Sequence, residues 1–101
     1  MYTLIMNNAT VIQEQIGGKA FFMMGASALV DTGEGLQFKI KGSPRKVSSV
    51  VVSLDHTTDS YTVEFWNTRG KNFDLISKET GVMVSDLHRT IERHTALRLS
   101  L

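Results

Sequence analysis

The stretch from Val47 to Trp66 constrains the fold more than any other part of the chain. Apolar and polar residues alternate there in two runs, whose apolar members are Val50, Val52 and Leu54, then Tyr61, Val63 and Phe65. Successive side chains of a strand point to opposite faces, so each run predicts a half-buried strand. Asp55–Ser60, between the runs, is rich in residues whose side chains bond nearby backbone groups in turns. The sequence therefore predicts an antiparallel hairpin with one face in the core.

Length and composition limit the classes of protein to consider. The 101 residues suit a single domain spanning 1–101. The absence of cysteine excludes disulfides, thiolate metal sites and cysteine nucleophiles. A net charge of +1 argues against a strongly electrostatic nucleic-acid or membrane binder, unless charge is concentrated locally. No segment has the features of a signal peptide or a membrane span, so we expect a soluble, cytoplasmic protein.

Both ends of the chain have helical patterns. The first helix is predicted over residues 7–16, capped by Asn7 or Asn8, with Ala9, Ile12 and Ile16 buried and Gly17-Gly18 ending it. The second is predicted from a cap at Ser85 to His94 or Thr95, with Asp86 in its first turn. Its buried stripe comprises Leu87, Ile91 and either His94 or Thr95.

The rest of the chain reads as strands and turns. Beyond the hairpin, strands are predicted at Lys19–Met24, Leu36–Lys41 and Phe73–Lys78, with Phe73 and Leu75 facing inward. Turns or breaks are predicted at Gly25–Glu34, Gly42–Pro44, Asn67–Lys71 (with Gly70 at positive φ) and Thr80-Gly81. The tail Ala96–Leu101 alternates and would close the sheet or pack at its edge. The predicted fold is α+β: an antiparallel sheet of about five strands with an N-terminal and a C-terminal helix on one face.

Nothing in the sequence indicates catalysis, a metal or a cofactor. His88 and His94 are six residues apart, whereas helical zinc pairs lie three or four apart. A surface pair of His88 with Glu92 is the simpler interpretation, and His94 is expected to be partly buried and bonded to backbone. The acidic pairs Asp55/Asp59 and Asp31/Glu34 suit turns. We therefore expect a non-enzyme and keep a hydrolase using His88 or His94 with Glu92 as the weakest alternative.

The candidate binding residues surround one turn and one aromatic side chain. Four of the eleven cations, Lys39, Lys41, Arg45 and Lys46, fall within eight residues. Thr62, Glu64 and Trp66 occupy the outward positions of their strand. Outward lysines can simply keep sheet edges from pairing, and Trp66 can be covered by the tail or a partner subunit. We favour a protein partner, or self-association, at this surface. The alternative is nucleic acid, since cations beside an aromatic on an open sheet stack bases and follow phosphates.

A pattern of core and turn residues runs through most of the chain. Its parts are Gly17-Gly18-Lys19-x-Phe21-x-x-Met24-Gly25-Ala26, Leu36-x-Phe38-x-Ile40, Asp59-Ser60-Tyr61-x-Val63-x-Phe65, and Gly81-Val82 before the helix that bears Leu87. The pattern resembles a family of small uncharacterised proteins of phages and mobile elements. That resemblance implies a phage or prophage origin and a role in binding, or inhibiting, a host or phage macromolecule. The chain departs from the pattern at Ala96, where a glycine is expected.

Overall fold

A computed structural model describes residues 8–70 and 73–99. The described elements are α1 (Asn8–Ile16), α2 (Gly18–Met24), β1 (Ser27–Asp31), β2 (Gly35–Lys39), β3 (Ser49–Asp55), β4 (Ser60–Asn67), β5 (Asp74–Val82), a 3-10 turn (Val84–Asp86) and α3 (Leu87–Thr95). The predicted cap at Asn7, the end of the predicted turn at Lys71 and the last two residues of the tail lie outside the described residues. None of the described helices is long and apolar enough to cross a membrane.

The five strands form one antiparallel sheet in the order β1-β2-β3-β4-β5. The predicted hairpin is confirmed as β3 and β4, and its alternation fixes the register. Val50 lies opposite Phe65, Val52 opposite Val63, and Leu54 opposite Tyr61. The α+β fold with a five-stranded antiparallel sheet is thus as the sequence predicts.

All three described helices pack against one face of this sheet, which we call the inner face. The core joins Ile12, Ile16, Ala20, Phe21, Met24, Leu87 and Ile91 of the helices to the inward residues of β2, β3 and β4. Leu36 and Phe38 are buried on this face as predicted. The opposite face, which we call the outer face, carries the alternate residues of the same strands and bears no described helix.

The prediction of a strand over Lys19–Met24 is wrong, because this segment is α2. Its buried residues are Ala20, Phe21 and Met24, a spacing that fits one side of a helix. Phe22, on the other side, is 83% exposed. Gly17 ends α1 as predicted, with φ of +87°, but α2 begins at the next residue.

The predicted loop over Gly25–Glu34 contains a strand, β1. All five of its residues are exposed, so burial gives it no alternating pattern. The strand forms by pairing with β2, where Val30 lies opposite Gln37 and Asp31 opposite Leu36. β1 is therefore an edge strand that is held to the sheet by its backbone hydrogen bonds to β2.

The prediction of the last strand is also wrong in its length and in the direction that its side chains face. β5 runs through Thr80-Gly81 to Val82. A bulge relative to β4 moves Ser77 opposite Phe65 and Leu75 opposite Trp66. Phe73 and Leu75, predicted to face inward, are 69% and 46% exposed. Polar residues of β5 face the core side instead.

The C-terminal helix begins later than predicted. Ser85 lies in the 3-10 turn and does not cap α3, which begins at Leu87. Thr95 is fully buried and His94 is half-buried, so Thr95 completes the predicted stripe. Ala96 ends the helix with φ of +60°. Residues 96–99 form no strand, although Leu99 is buried and its N–H donates to Glu92 Oε2 over 3.0 Å.

Candidate binding surfaces

Trp66 lies on the outer face beside a shallow depression. The indole N–H donates to Glu64 Oε1 over 3.2 Å, which orients the ring along β4. The depression has a volume of about 360 Å³ and is lined by Gln37, Ser49, Val51, Glu64, Trp66, Thr68 and Phe73. Thr62, predicted to belong to the same site, lies on the outer face but does not line the depression. We call the depression the tryptophan groove.

Two exposed apolar side chains extend the tryptophan groove toward the β5 edge. Phe73 lines the groove, and Leu75 lies directly opposite Trp66 in the sheet. Sequence reasoning missed both because it placed them in the core. With Trp66 they make an apolar surface that faces solvent on the outer face.

The predicted cations gather at one end of the sheet, which we call the basic end. Lys39, Ser49 and Trp66 are aligned across three strands, so the chain segments beyond them lie close together. Two adjacent depressions occupy this end, with volumes of about 280 and 200 Å³. Lys46 lines the first and Lys39 and Lys41 line the second, whereas Arg45 lines neither.

Arg69 is the residue of the basic end that sequence reasoning missed. It lines both depressions, as does Ser48. It is separated from Lys46 by the whole β3–β4 hairpin, so only the register of that hairpin brings the two together. The sequence feature that could have identified Arg69 is its position just after β4, in the turn that contains Gly70 at φ of +94°.

The opposite end of the sheet, which we call the acidic end, carries carboxylates. Gly35, Ser53 and Thr62 are aligned there across three strands. Asp31 and Asp55 are the last residues of β1 and β3 at this end, and the turns beyond contain Glu34 and Asp59. Asp55 Oδ1 accepts hydrogen bonds from the hydroxyl and then the backbone N–H of Thr57, and these hold the pKa of Asp55 below its ordinary value. The net charge of +1 therefore conceals a separation of charge along the strands.

A third surface lies near the acidic end and was not predicted. This depression, of about 590 Å³, is lined by Gln15, Leu54, Asp59, Ser60, Tyr61, Val82, Met83, Val84 and Ser85. The Tyr61 hydroxyl donates to Gln15 Oε1, and burial raises the pKa of this phenol. The hydrogen bond between Tyr61 and Gln15 gives each of these two side chains a partner within the chain, and it joins α1 to β4.

The two helical histidines join elements of the fold. His88 Nε2 donates to the carbonyl of Ile16 over 2.6 Å, so the predicted pair with Glu92 is wrong. His94 bonds the side chains of Ser77 and Glu79, where a backbone partner was expected. Within residues 8–70 and 73–99, no three His, Asp or Glu side chains are grouped as metal ligands.

Comparison of the chain with family models, with curated proteins and with solved structures found no match. The likeness to small phage and mobile-element proteins thus stays a prediction that rests on the residue pattern.

Proposed function

We propose that this protein is a non-enzymatic binding module that recognises a protein partner through its outer face. The observation that supports this proposal most is the apolar surface of Trp66, Phe73 and Leu75, which no described helix covers. Tryptophan in a partly desolvated depression is the side chain most often responsible for binding energy at protein interfaces. The polar side chains around it give such a surface the rim that interfaces commonly have.

The charges near the groove suggest the chemistry of the partner. Lys39 lies on the outer face at the basic end, and Lys78 lies opposite Glu64. A partner that inserts an apolar side chain into the groove and places carboxylates toward Lys39 and Lys78 would match both features. We therefore propose an acidic protein surface with an apolar anchor, consistent with the phage-type inhibitor that the sequence resemblance implies.

The proposal can be tested by selecting random peptides against the immobilised protein. We expect the enriched peptides to combine aromatic or aliphatic residues with Asp and Glu. Trp66 is the only tryptophan in the chain, so its fluorescence reports on the groove directly. Binding should shift Trp66 emission to shorter wavelength, and Phe73→Ser should weaken binding by about 30-fold, as expected for a hot-spot residue.

Thr62→Ser is the matched control, because Thr62 lies on the same face outside the groove. It should leave the affinity for the selected peptides unchanged. Peptides that bind without altering Trp66 emission and ignore Phe73→Ser would overturn the proposal. Sedimentation over a range of protein concentrations tests a second copy of the chain as the partner, and a dimer that survives Phe73→Ser would place its interface elsewhere.

A further inference from the structure

The basic end contains a concentration of cations that the folded chain does not neutralise. Lys39, Lys41, Lys46 and Arg69 line its two depressions. The ion pairs of residues 8–70 and 73–99 join Arg89 to Asp86, and Arg93 and His94 to Glu79. None of the four cations at the basic end therefore has a carboxylate partner within the described chain. Bringing like charges together costs free energy on folding, which a bound anion would offset.

The lining of the two depressions is otherwise made of hydrogen-bonding groups without negative charge. The lining includes no acidic residue. It does include the hydroxyls of Ser27, Ser43, Ser48 and Thr68 and the amide of Asn67. Asp74 is the acidic residue nearest in register, opposite Asn67, but it lines neither depression. The Ser43 hydroxyl already donates to the carbonyl of Thr95, and the Ser48 and Thr68 hydroxyls bond each other. The ammonium and guanidinium groups are therefore the main donors offered to phosphate oxygens.

The backbone at Lys46 is a second, independent observation. Lys46 has φ of +64°, a conformation that is unfavourable for every residue with a β-carbon except Asn and Asp. Its N–H donates to the carbonyl of Ser43 over 3.1 Å, which closes the turn. Glycine or asparagine would suit this backbone better, so the lysine side chain is held there at a cost to stability. Strain of this kind concentrates at binding and catalytic sites.

We infer that the basic end is a second binding site, which adjoins the tryptophan groove at Thr68 and holds phosphate groups of a single-stranded nucleic acid. The two depressions share Arg69 and Ser48, so they can hold neighbouring phosphates of one strand. Arg69 can bridge the two, because its guanidinium has five donors in a planar fork. All contacts are to the backbone, so binding is independent of base sequence.

The test is fluorescence anisotropy of a labelled 20-nucleotide oligo(dT) with the full chain over a range of salt concentrations. Four phosphate contacts give a slope of log affinity against log salt of about −2.8, so a fourfold rise in salt should weaken binding roughly 50-fold. Arg69→Ala and Lys46→Asn should each reduce the steepness of the slope by about 0.7. Asparagine tolerates the left-handed backbone at position 46, so its effect reports on charge and not on misfolding.

Arg89→Ala is the matched control, since Arg89 is exposed and lies on α3 beside Asp86. It should leave both affinity and slope unchanged. Phe73→Ser should also bind the oligonucleotide normally, because Phe73 lines neither depression of the basic end. No binding at low salt, or binding that ignores both Arg69→Ala and Lys46→Asn, would overturn the inference. So would equal competition by polyglutamate or by thymidine monophosphate, because the site would then take any carboxylate chain or a single phosphate. Such failures would leave the apolar part of the proposed protein-binding surface untouched, because Trp66, Phe73 and Leu75 line neither depression of the basic end.

Discussion

The imidazole ring of His94 is stacked on the phenyl ring of Phe65, with 4.5 Å between the ring centroids and 10° between the planes. Its Nε2 lies 2.8 Å from Glu79 Oε1, and its Nδ1 lies 2.8 Å from the hydroxyl of Ser77. A carboxylate can only accept, so Nε2 carries a hydrogen, and the hydroxyl can donate to Nδ1. One side chain of α3 therefore contacts β4 through its ring and β5 through two hydrogen bonds.

Removing this ring should loosen the attachment of α3. We expect His94→Ala to lower the free energy of unfolding by about 2–3 kcal/mol, since both packing and hydrogen bonds are lost. His94→Phe keeps an aromatic ring for stacking and should lose less. Urea unfolding measures both values, with Arg89→Ala as a surface control that should change stability by less than about 0.5 kcal/mol. An equal loss for His94→Ala and His94→Phe would show that the stack contributes nothing.

Acid should weaken the same attachment through Glu79. Hydrogen bonds from His94 and then Arg93 hold the pKa of Glu79 below its ordinary value of 4.5. Because the folded-state pKa is the lower one, the unfolded chain takes up the proton first as the pH falls. The stabilisation is therefore complete above the ordinary value and is lost as the pH falls through the folded-state pKa.

Glu79→Gln should remove this contribution to acid sensitivity. The variant should be less stable than the natural chain at neutral pH, and the difference should shrink as the pH falls below the ordinary pKa of 4.5 and through the lower folded-state pKa. Urea unfolding at several pH values measures this, and Glu14→Gln on α1 is the control. A stability difference that stays constant over this range would show that Glu79 is not the group responsible.

Gly35 should tolerate no side chain. A β-carbon built on it would lie 1.8 Å from the carbonyl oxygen of Val52, inside the β2–β3 pair. That contact cannot be relieved by a side-chain rotation, so Gly35→Ala should cost about 3 kcal/mol or more, or abolish folding. Gly18→Ala is the control, because a β-carbon there meets nothing within 4 Å. It should be neutral or stabilise by up to about 1 kcal/mol, and similar thermal midpoints for the two variants would contradict the argument.

Ala96 offers a stabilising substitution. Its φ of +60° and ψ of 23° are left-handed, and its N–H donates to the carbonyl of Glu92 over 2.8 Å. Glycine adopts this conformation without a steric penalty, so Ala96→Gly should raise the free energy of unfolding by about 0.5–1 kcal/mol. Ala96→Val should lower it, because a β-branched side chain suits this region least. The order Gly, Ala, Val in melting temperature is the expected result, and any other order would contradict it.

The hairpin could be predicted from sequence because its strands are buried on one face only. Each inward position of β3 and β4 is apolar, and the outward positions other than Val51 and Trp66 are polar, so the register follows from the alternation. α2 was harder, since Phe22 is apolar yet exposed and makes both sides of the segment look buried. The spacing of Ala20, Phe21 and Met24 is helical, and it is the sequence feature that indicates α2.

The two edge strands show why local pattern can fail. β1 buries no residue, so its presence depends on hydrogen bonds to β2 that no sequence pattern records. In β5, a bulge next to Trp66 shifts the alternation, and the inward positions go to Ser77 and Glu79 because His94 faces them. His94 is a polar residue on the core side, and it forms its hydrogen bonds with the polar side chains of Ser77 and Glu79 on β5.

The candidate binding residues also fall into two groups: some are close together in the sequence, and others are brought together only by the fold. Lys39, Lys41 and Lys46 are close in sequence, so their grouping was visible before the fold was known. Arg69 joins them only because β3 and β4 pair in a particular register. Phe73 was assigned to the core because it is apolar, whereas its place beside Trp66 depends on where β5 begins.

The separation of the basic and acidic ends gives the protein an electric dipole moment along its strands. The ends are about 20 Å apart, the length of the seven-residue β3 at ~3.3 Å per residue. In the field of a polyanion the molecule would experience a torque that turns the basic end forward before contact, although its net charge gives little overall attraction. A nearly neutral chain would thus meet a highly charged surface in one preferred orientation, and on a chromatographic support it should be retained by cation exchangers beyond what its net charge implies.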